Sequence, residues 1–376
     1  MPPGLKDVAA RAGVSIKTVS NVVNGYVHVA PETRARVQAA IDALGYVPNA
    51  AARRLRGGRS GVIALAVPDL RSAYFAELAG HIVQAAAPRG WTVLIDQTDG
   101  RAEREHDLAA GLRRHAIDGL ILSPVEIVTG ESPPETRRAE GQRPGEAARP
   151  GEAARPGASA VETRASELAR RHGVPAVLLG ERIRAGTEDH VATDGAAAAR
   201  DAVRHLLRVG RRRIAAIGAP VGPAAVTWRQ RLAGYRSALA DAGLGPVADP
   251  RLEVPVTGQR RADGAAAMQL LLARAESVDA IFCFTDLLAL GAIRTLVEHG
   301  IDVPGDVAVM GFGGIEEGRY SNPALSTIDP DTPRIAQLAV DLLAERLGER
   351  PATAAPPREI CVEHRIIARE STVGRP

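Results

Sequence analysis

The chain is poor in cysteine and in aromatic residues, with two cysteines, five tyrosines, four phenylalanines and two tryptophans among 376 residues. Cys283 and Cys361 both lie in apolar, strand-like runs, which predicts buried thiols in a reducing compartment rather than a disulfide framework. A core with so few aromatic residues must be built from Ala, Val, Leu and Ile. The sequence contains no apolar run of the roughly 18–20 residues that span a bilayer. Its start, MPPGLKDVAARAG, has no apolar signal segment. These absences predict a cytoplasmic protein.

Lysine is also scarce, and Lys17 is one of only two in the chain. Positive charge is nevertheless concentrated at the start, because residues 1–60 hold nine basic and three acidic side chains, a net charge of +6. With a total of +3, the remainder carries −3. A basic head on a mildly acidic body suggests an anionic polymer as partner. A basic, solvated N-terminus is the alternative, and composition alone does not choose between them.

Three short helices are predicted within this basic segment. Apolar residues recur at helical spacing over residues 5–12, and Gly13 then suits a tight turn with positive φ. Ser15 is a good N-cap for a second helix that reaches about residue 24. A third helix is expected from about Pro31, where proline suits the first turn, to about residue 44.

A fourth, shorter helical segment follows in PNAAARRLRGG, residues 48–58. Asn49 can cap it, and Gly57 and Gly58 end it. One or two turns are too short to be stable alone in water. The segment is therefore expected to be helical only when something packs on it.

From residue 61 apolar strand-like runs alternate with helical segments, beginning with VIALAV (62–67) and continuing to VAVMGF (307–312). Repeated strand–helix units predict a parallel α/β sheet. The units are too many for one compact sheet. The fold class expected is a small all-α helix-turn-helix head followed by an α/β body of two doubly wound lobes.

Residues 126–160 differ from the rest, because they contain the hexapeptide RPGEAA twice, at 143–148 and at 149–154. Such a segment cannot bury enough apolar surface to offset the entropy of ordering. It is expected to be a disordered surface insertion. A partner-binding role is the less favoured alternative.

The helix–glycine–helix pattern near the start is typical of a helix-turn-helix. On its second helix Lys17, Ser20, Asn21 and Asn24 recur at i, i+3, i+4 and i+7 and form one polar stripe. A recognition helix meets base edges with such a stripe. A solvated helix face gives the same pattern. The glycine turn, the basic head and the arginine-rich segment after it favour the DNA-binding interpretation.

The runs LKDVAARAGVSIKTVSNVVNG and VAPETRARVQAAIDALGYVPNAAARRLRGGRS together resemble the head of the lactose-repressor (LacI/GalR) family of transcriptional regulators. Later runs, among them VRHLLRVGRRRIAAIG and TDLLALGAIRTLVEHGIDVPGDVAVMGF, resemble the same family in the same order. The resemblance covers nearly the whole chain outside residues 126–160.

The resemblance implies that the head binds a near-palindromic double-stranded DNA operator as a homodimer. It implies a hinge helix at about residues 48–56 that folds on binding, with Leu55 wedged into the minor groove. The matching DNA-binding positions are Ser15, Ile16, Lys17, Thr18, Ser20, Asn21, Asn24, His28, Asn49, Arg53, Leu55 and Arg56.

For the remainder, the resemblance implies a body like a periplasmic sugar-binding protein, with two lobes, three crossovers and a ligand in the cleft between them. The domains expected are a DNA-binding domain at 1–47, a hinge and linker at 48–60 and the effector-binding and dimerisation body at 61–376. Within the body the first lobe would comprise about 61–190 plus a helix near 332–348. The second would comprise about 191–328 plus a final strand near 358–369. A ligand that prefers one lobe arrangement would shift the DNA-competent population.

The head departs from the family at two positions. Asn21 stands where arginine is usual, and asparagine pairs best with adenine whereas arginine pairs best with guanine. Ile16 offers only apolar contact, for instance to a thymine methyl. We therefore predict an unusual operator half-site. Ala30 replaces a customary serine and loses an N-cap worth about 1 kcal/mol.

The pocket departs further, because Gly313 and Gly180 stand where the family commonly has aspartates. Arg231 matches an arginine that commonly contacts effector, and Asp286 is expected to be a helix N-cap rather than a ligand. Replacing carboxylates by arginine and aromatics favours a planar or anionic effector over a bare polyol, although a sugar-like ligand and an empty pocket stay open. The effector-binding candidates are Tyr74, Phe75, Ser123, Thr227, Trp228, Arg231, Thr285 and Asp286.

An enzyme and a solute-binding protein are the two alternatives to a DNA-binding regulator. An enzyme is disfavoured, because GFGGIEEG has Glu316 at the third glycine position of a dinucleotide fingerprint, and neither a hydrolase nor a metal-ligand motif is found. No cofactor or metal is expected. A solute-binding protein without a DNA role would need an export signal and no basic head. An effector-independent regulator with a degenerate pocket is a further alternative.

The C-terminus, HRIIARESTVGRP, lacks leucine heptads, so a dimer is predicted rather than a tetramer. A repressor is favoured over an activator.

Overall fold

The structure is a computed structural model that forms two compact units, Met1–Ser60 and Gly61–Pro376. It describes residues 3–23, 28–46, 59–112, 116–124, 169–181, 187–219, 226–244, 250–274, 277–348 and 355–374. The predicted insertion at 126–160 and the predicted hinge helix at about 48–56 lie outside these ranges.

The described part of the first unit contains three helices, α1 (Leu5–Ala12), α2 (Ile16–Val23) and α3 (Pro31–Leu44). Gly13 ends α1 in the left-handed region at φ 64°, which a glycine adopts without strain. The turn to α2 is therefore tight. The helices and the turn agree with the prediction from sequence.

A small aliphatic core holds these three helices together. Val8, Val19 and Val37 contribute one fully buried side chain from each helix. Helix α2 is rich in β-branched residues, which lowers its intrinsic helicity. Its position therefore depends on this packing, and a short helix without such contacts would be marginal in water.

The second unit contains two six-stranded sheets. In the first the strand order is β11-β5-β4-β3-β1-β2, and in the second it is β12-β10-β9-β8-β6-β7; all pairings are parallel except that between β10 and β12. The strands are β1 (Val62–Val67), β2 (Thr92–Gln97), β3 (Gly119–Leu122), β4 (Ala176–Glu181), β5 (Asp189–Thr193), β6 (Ile214–Ala219), β7 (Glu253–Pro255), β8 (Ala280–Cys283), β9 (Ala308–Phe312), β10 (Ser326–Asp329), β11 (Glu359–Val362) and β12 (Arg365–Ile367).

Helices cover the faces of these sheets, as the strand–helix alternation predicts. They are α4 (Ala73–Ala86), α5 (Ala102–Gly111), α6 (Gly195–Arg208), α7 (Val226–Asp241), α8 (Arg261–Ala273), α9 (Asp286–Glu298), α10 (Glu317–Tyr320), α11 (Thr332–Gly348) and α12 (Glu370–Val373). Each sheet with its helices is called a lobe below.

The chain crosses between the lobes three times, from β5 to α6, from β10 to α11 and from β11 to β12. Helix α11 packs in the core of the first lobe, as expected. The expected single final strand near 358–369 is wrong, because that segment is two strands: β11 belongs to the first sheet and β12 to the second. The lobe boundary expected at about residue 190 lies slightly later, since β5 continues in the first sheet to Thr193.

Strand β5 was not recognised from the sequence because its residues, DHVAT, include three polar side chains, yet all five are buried. The carboxylate of Asp189 accepts hydrogen bonds from Arg346 Nε at 2.7 Å and from the backbone N–H of Arg358 at 2.8 Å. A buried charge that is paired in this way can be accommodated in a central strand. The prediction of two buried cysteines holds for Cys283 but is wrong for Cys361, which is exposed.

Helices α8 and α9 approach each other closely at two glycines. A Cβ atom added to Gly264 would lie 2.1 Å from the carbonyl oxygen of Leu288, and one added to Gly291 would lie 1.9 Å from that of Arg261. Neither distance leaves room for a methyl group. The separation of the two helices is therefore set by these glycines.

We predict that Gly264→Ala lowers the free energy of unfolding by about 1–3 kcal/mol, because the helices must separate to admit the methyl group. Gly80→Ala on α4 is the matched control: nothing lies within 4 Å of its added Cβ. There alanine should stabilise the helix by about 0.5–1 kcal/mol. Urea unfolding of both variants measures the difference. Equal stabilities for the two variants would show that the close approach is not needed.

Candidate DNA-binding head and interlobe cleft

The recognition helix α2 begins with a side-chain cap. Ser15 Oγ accepts a hydrogen bond from the backbone N–H of Thr18 at 3.1 Å and lies 2.9 Å from Thr18 Oγ1. Ser15 is thus the N-cap that the sequence predicts. The first turn of α2 is fixed by this bond, which also leaves Thr18 engaged within the head.

The exposed surface of α2 carries part of the predicted polar stripe. Ile16 and Lys17 are exposed, and Asn21 is half-buried on the same helix. Ser20 was expected on this surface, but it is buried beside Val19 in the head. Its expected outward orientation is wrong because the packing face of α2 is wider than the valine spacing indicates.

The other predicted DNA contacts have two outcomes. His28 is described and exposed, at the start of the segment that leads to α3. Ala30 precedes α3 with no side-chain cap, as its replacement of serine predicts, and Pro31 occupies the first helical position. Five further candidates lie outside the described residues: Asn24, Asn49, Arg53, Leu55 and Arg56.

In the body, the central feature between the lobes is an ion pair that joins them. Glu181 ends β4 of the first lobe, and Arg231 lies on α7 of the second lobe. Glu181 Oε1 accepts hydrogen bonds from Arg231 Nη2 at 2.7 Å and from Nε at 3.1 Å. The side chains are only 3% and 12% exposed respectively. Such a pair is strongly coupled because little water screens it.

Besides Glu181, the guanidinium of Arg231 contacts a backbone carbonyl and an aromatic ring. Its Nη1 donates to the backbone carbonyl of Phe284, and its Cζ lies 3.5 Å from the ring centroid of Phe312. Trp228 lies 6.0 Å away and stacks on Phe284 at an interplanar angle of 17°. The guanidinium is therefore enclosed by aromatic rings, which favours a planar cation.

Glu181 was not predicted from the sequence, where Gly180 and Gly313 were noted in place of common aspartates. Its carboxylate lies one residue after Gly180 and is bonded to Arg231, the predicted effector arginine. Burial raises the pKa of Glu181 above its ordinary value, while the positive charge of Arg231 opposes this rise.

Tyr74 comes from the first lobe, at the start of α4, and packs edge-to-face on Phe75 with ring centroids 5.2 Å apart. Burial raises the pKa of Tyr74 to about 12, with Arg231 lowering it and Glu181 raising it. The phenol is therefore un-ionised at neutral pH, and the charges of Arg231 and Glu181 both act on it.

The remaining effector candidates are placed differently. Ser123 follows β3 and is buried, with its backbone N–H donating to the carbonyl of Ala66 at 2.9 Å. Thr227 is half-buried in the first turn of α7, one residue before Trp228. Thr285 caps α9, because its Oγ1 accepts from the backbone N–H of Leu288 at 3.3 Å.

The expectation that Asp286 is the N-cap of α9 is wrong, since Thr285 fills that position. Asp286 is 1% exposed. Its carboxylate accepts hydrogen bonds from Thr327 Oγ1 at 2.5 Å and from the backbone N–H of Ile315 at 3.0 Å. It ties α9 to β10 and to the GFGG turn inside the second lobe. This structural role accounts for the side chain without a ligand.

Two further contacts join the lobes, and neither was predicted. Glu77 Oε1 accepts a hydrogen bond from the backbone N–H of Glu316 at 2.9 Å, and Asp69 lies 3.8 Å from Arg260 Nη2. In each contact, as in the Glu181 pair, the first lobe supplies the carboxylate. The second lobe supplies the hydrogen-bond donor or the positive charge. The polarity is not uniform at Glu77, because burial raises its pKa and the nearby carboxylates of Glu316 and Glu317 in the second lobe contribute to the rise.

Within the residues that the structure describes, no group of three or more His, Cys, Asp or Glu side chains is placed to hold a metal ion. No helix in the same ranges is long and apolar enough to cross a membrane.

These features define a helix-turn-helix DNA-binding protein with a two-lobed α/β body of the periplasmic-binding-protein type. Residues 4–49 match the family of bacterial regulatory proteins called the lacI family, and residues 203–372 match a periplasmic binding protein-like domain. The HTH-type transcriptional regulator CelR of Thermobifida fusca is 33% identical over 98% of this chain and 98% of its own. The chain belongs to the lacI family and is a DNA-binding transcriptional regulator.

Solved structures agree over the full length. The lac repressor dimer bound to operator and the anti-inducer ONPF has a TM-score of 0.79 at 25% identity, covering 99% of each chain. The complex of the transcriptional regulator CelR with cellobiose has a TM-score of 0.66 at 28% identity, covering 98% of this chain and 99% of that one.

The structural role of Asp286 predicts a specific pH dependence. Burial raises its pKa from 3.8 to about 6, and hydrogen bonds from Thr327 and Ile315 oppose the rise. The folded protein thus binds this proton more tightly than the unfolded chain, so stability rises as pH falls from about 6 toward 3.8.

In Asp286→Asn this contribution is absent. We expect the stability advantage of the wild type over the variant to grow by about 2–3 kcal/mol as pH falls through that window. Urea unfolding at several pH values measures it. A difference that stays constant with pH would exclude a shifted carboxyl at this position.

Proposed function

We propose that the protein represses transcription by binding a near-palindromic operator as a homodimer, and that a small molecule bound between the lobes modulates this binding. The observation that carries the proposal is the capped helix α2, which is packed on a rigid core and presents Lys17, Ile16 and Asn21. Side chains near the start of a recognition helix reach base edges in the major groove.

Charge supports the DNA role independently of the fold. The head has a net charge of +6, and phosphate contacts by basic side chains release counterions. Operator affinity should therefore fall steeply with salt. Because the activity is on DNA, we infer a regulatory rather than a catalytic function, performed in the cytoplasm where a bacterial chromosome lies.

Two half-buried aromatic side chains beside the Glu181–Arg231 pair, Tyr74 and Trp228, support an effector that stacks on rings, as sugar rings and planar rings both do. Phe312 is 3% exposed and its face is already occupied by Arg231, so it offers no surface to a ligand. A relative solved with cellobiose supports a sugar-like ligand. A ligand that favours one lobe arrangement would change operator affinity by its differential affinity for the two arrangements. An effector-independent regulator is the alternative.

The first lobe offers a surface suited to self-association. Strand β2 is at the edge of its sheet and exposes Leu94 and Ile95, and Val83 is exposed on α4, which packs against β2. An uncovered edge strand with large apolar side chains is unfavourable in a monomer. A lac repressor dimer among the structural relatives supports pairing of two copies through the body.

The decisive test is a gel-shift assay with fragments of the DNA upstream of the protein's own gene, repeated at rising salt. Specific retardation that survives competitor DNA is expected, with affinity falling linearly in log–log form against salt. Equal affinity for every fragment would remove the operator hypothesis. Reporter expression with and without the protein then separates a repressor from an activator.

We predict that Asn21→Arg changes the preferred base in each half-site from adenine toward guanine, because arginine is bidentate to guanine and asparagine to adenine. Discrimination of about 1–3 kcal/mol is expected. Selection from random DNA measures it. Gln38→Ala is the control, since Gln38 is exposed on α3 and bonds only within that helix, to Asp42. Identical selected sites for the wild type and Asn21→Arg would contradict the role of Asn21.

A second prediction concerns the dimer. Leu94→Glu should favour the monomer at micromolar concentration, because a buried unpaired charge opposes the interface. Sedimentation velocity measures the mass. Tyr320→Glu changes another exposed apolar residue, away from this edge, and should leave the mass unchanged. A dimer that persists in Leu94→Glu would place the interface elsewhere.

A further inference from the structure

We propose that Glu181 is a specificity-determining residue: its carboxylate occupies the guanidinium of Arg231 as a built-in counter-ion, so that the cleft rejects anionic effectors and the lobes are held together without one. This inference rests on the proposed effector role of the cleft and names the class of ligand that the cleft excludes. Glu181 thus substitutes a tethered carboxylate for the acidic group of a ligand.

Three of the five N–H groups of the Arg231 guanidinium are bonded within the protein. Arg231 directs Nε and Nη2 to one oxygen of Glu181 and Nη1 to the carbonyl of Phe284, and its face lies on Phe312. All three nitrogens therefore already donate a hydrogen bond. An incoming carboxylate or phosphate would have to displace Glu181 or approach beside its negative charge.

The second oxygen of the Glu181 carboxylate, Oε2, is also enclosed by the protein. Glu181 Oε2 is buried against Gly195, the first residue of α6, where a Cβ atom would lie 2.1 Å away. Within the described residues this oxygen has no hydrogen bond of normal geometry. It does face the N-terminal end of a helix, which favours negative charge. The glycine leaves the space that the carboxylate fills.

Gly195 directly follows the first crossover between the lobes, which runs from β5 to α6. Glu181 therefore contacts both the crossover and the helix α7 that carries Arg231. Breaking one member of a buried ion pair leaves the other charged and desolvated, which is strongly unfavourable. Opening the lobes at this point would require both groups to find new partners or water.

A ligand without negative charge meets no such conflict. It can contact the half-buried rings of Tyr74 and Trp228 beside the intact pair, and its hydroxyl groups can donate to a carboxylate. Selectivity then comes from repulsion of the wrong ligand as well as from attraction of the right one. Of the expected planar or anionic effector, this proposal keeps the planar class and excludes the anionic one.

Acetate provides a direct test. Glu181→Ala removes a methylene and a carboxylate, and acetate supplies the same two groups. In the full-length variant we expect Tm to fall by about 6–10 °C and acetate to restore at least half of the loss saturably, relative to equal sodium chloride. The wild type should show no such response. A Trp91→Phe background leaves Trp228, 6.0 Å from Arg231, as the fluorescent reporter of binding.

Two variants control this result. Glu253→Ala removes a mostly buried carboxylate on β7 that pairs with Arg236, which lies on α7 as Arg231 does. This pair lies within one lobe, and its arginine is 56% exposed. Acetate should not restore the Tm of Glu253→Ala. Any nonspecific binding of acetate to exposed arginines occurs equally in Glu181→Ala and Glu253→Ala, so the comparison removes it. Glu181→Gln fills the space without the charge, so acetate should not bind there.

If Glu181→Ala is unfolded in chloride, recovery of its helical circular dichroism with acetate supports the proposal. Absence of recovery overturns it, as does an equal acetate response in the wild type or in Glu253→Ala. These measurements use no DNA, so failure of the operator assay would remove the proposed repressor function and leave this result readable.

Discussion

The body depends on one electrostatic constraint: a positive charge that sits among aromatic rings at the meeting of two lobes must be neutralised there. Arg231 is 12% exposed and Glu181 3% exposed, so water cannot do this. The carboxylate comes from the opposite lobe, so the contact that neutralises the charge also joins the two lobes. Two further contacts among the described residues, through Asp69 and Glu77, also place a first-lobe carboxylate against a positive charge or a backbone donor of the second lobe.

Around this pair the fold is built largely from small side chains. Alanine fills much of the contact between helices and strands, and glycines at α8 and α9 bring backbones within reach of each other. Such surfaces pack closely and shift as rigid blocks. Two rigid lobes connected by three short crossovers have few ways to move relative to one another, and a ligand in the cleft can therefore bias a small set of arrangements.

Sequence predicted much of this arrangement because the relevant signals are local. The glycine turn, the Ser15 cap and the valine spacing locate the helix-turn-helix, and strand–helix alternation locates the lobes. Glu181 was not found because its role depends on an arginine fifty residues away in the chain. Asp286 was misassigned for the same reason, since Thr327 and Ile315 become its partners only after the sheet forms. Strand β5 lacks the apolar pattern of a buried strand because the charge of Asp189 is neutralised by Arg346, which is distant in the chain.

The head and the body differ in how their specificity is encoded. In the head, side chains on a capped helix can be compared directly with the donor and acceptor pattern of each base, so the exposed Ile16 and the half-buried Asn21 are positions where sequence predicts a base preference. In the cleft, the same arginine attracts or excludes an anion according to whether a second residue has already paired with it. Ligand class is therefore a property of the pair, and a substitution at Glu181 alters it without changing any residue that the family resemblance marks as effector-binding.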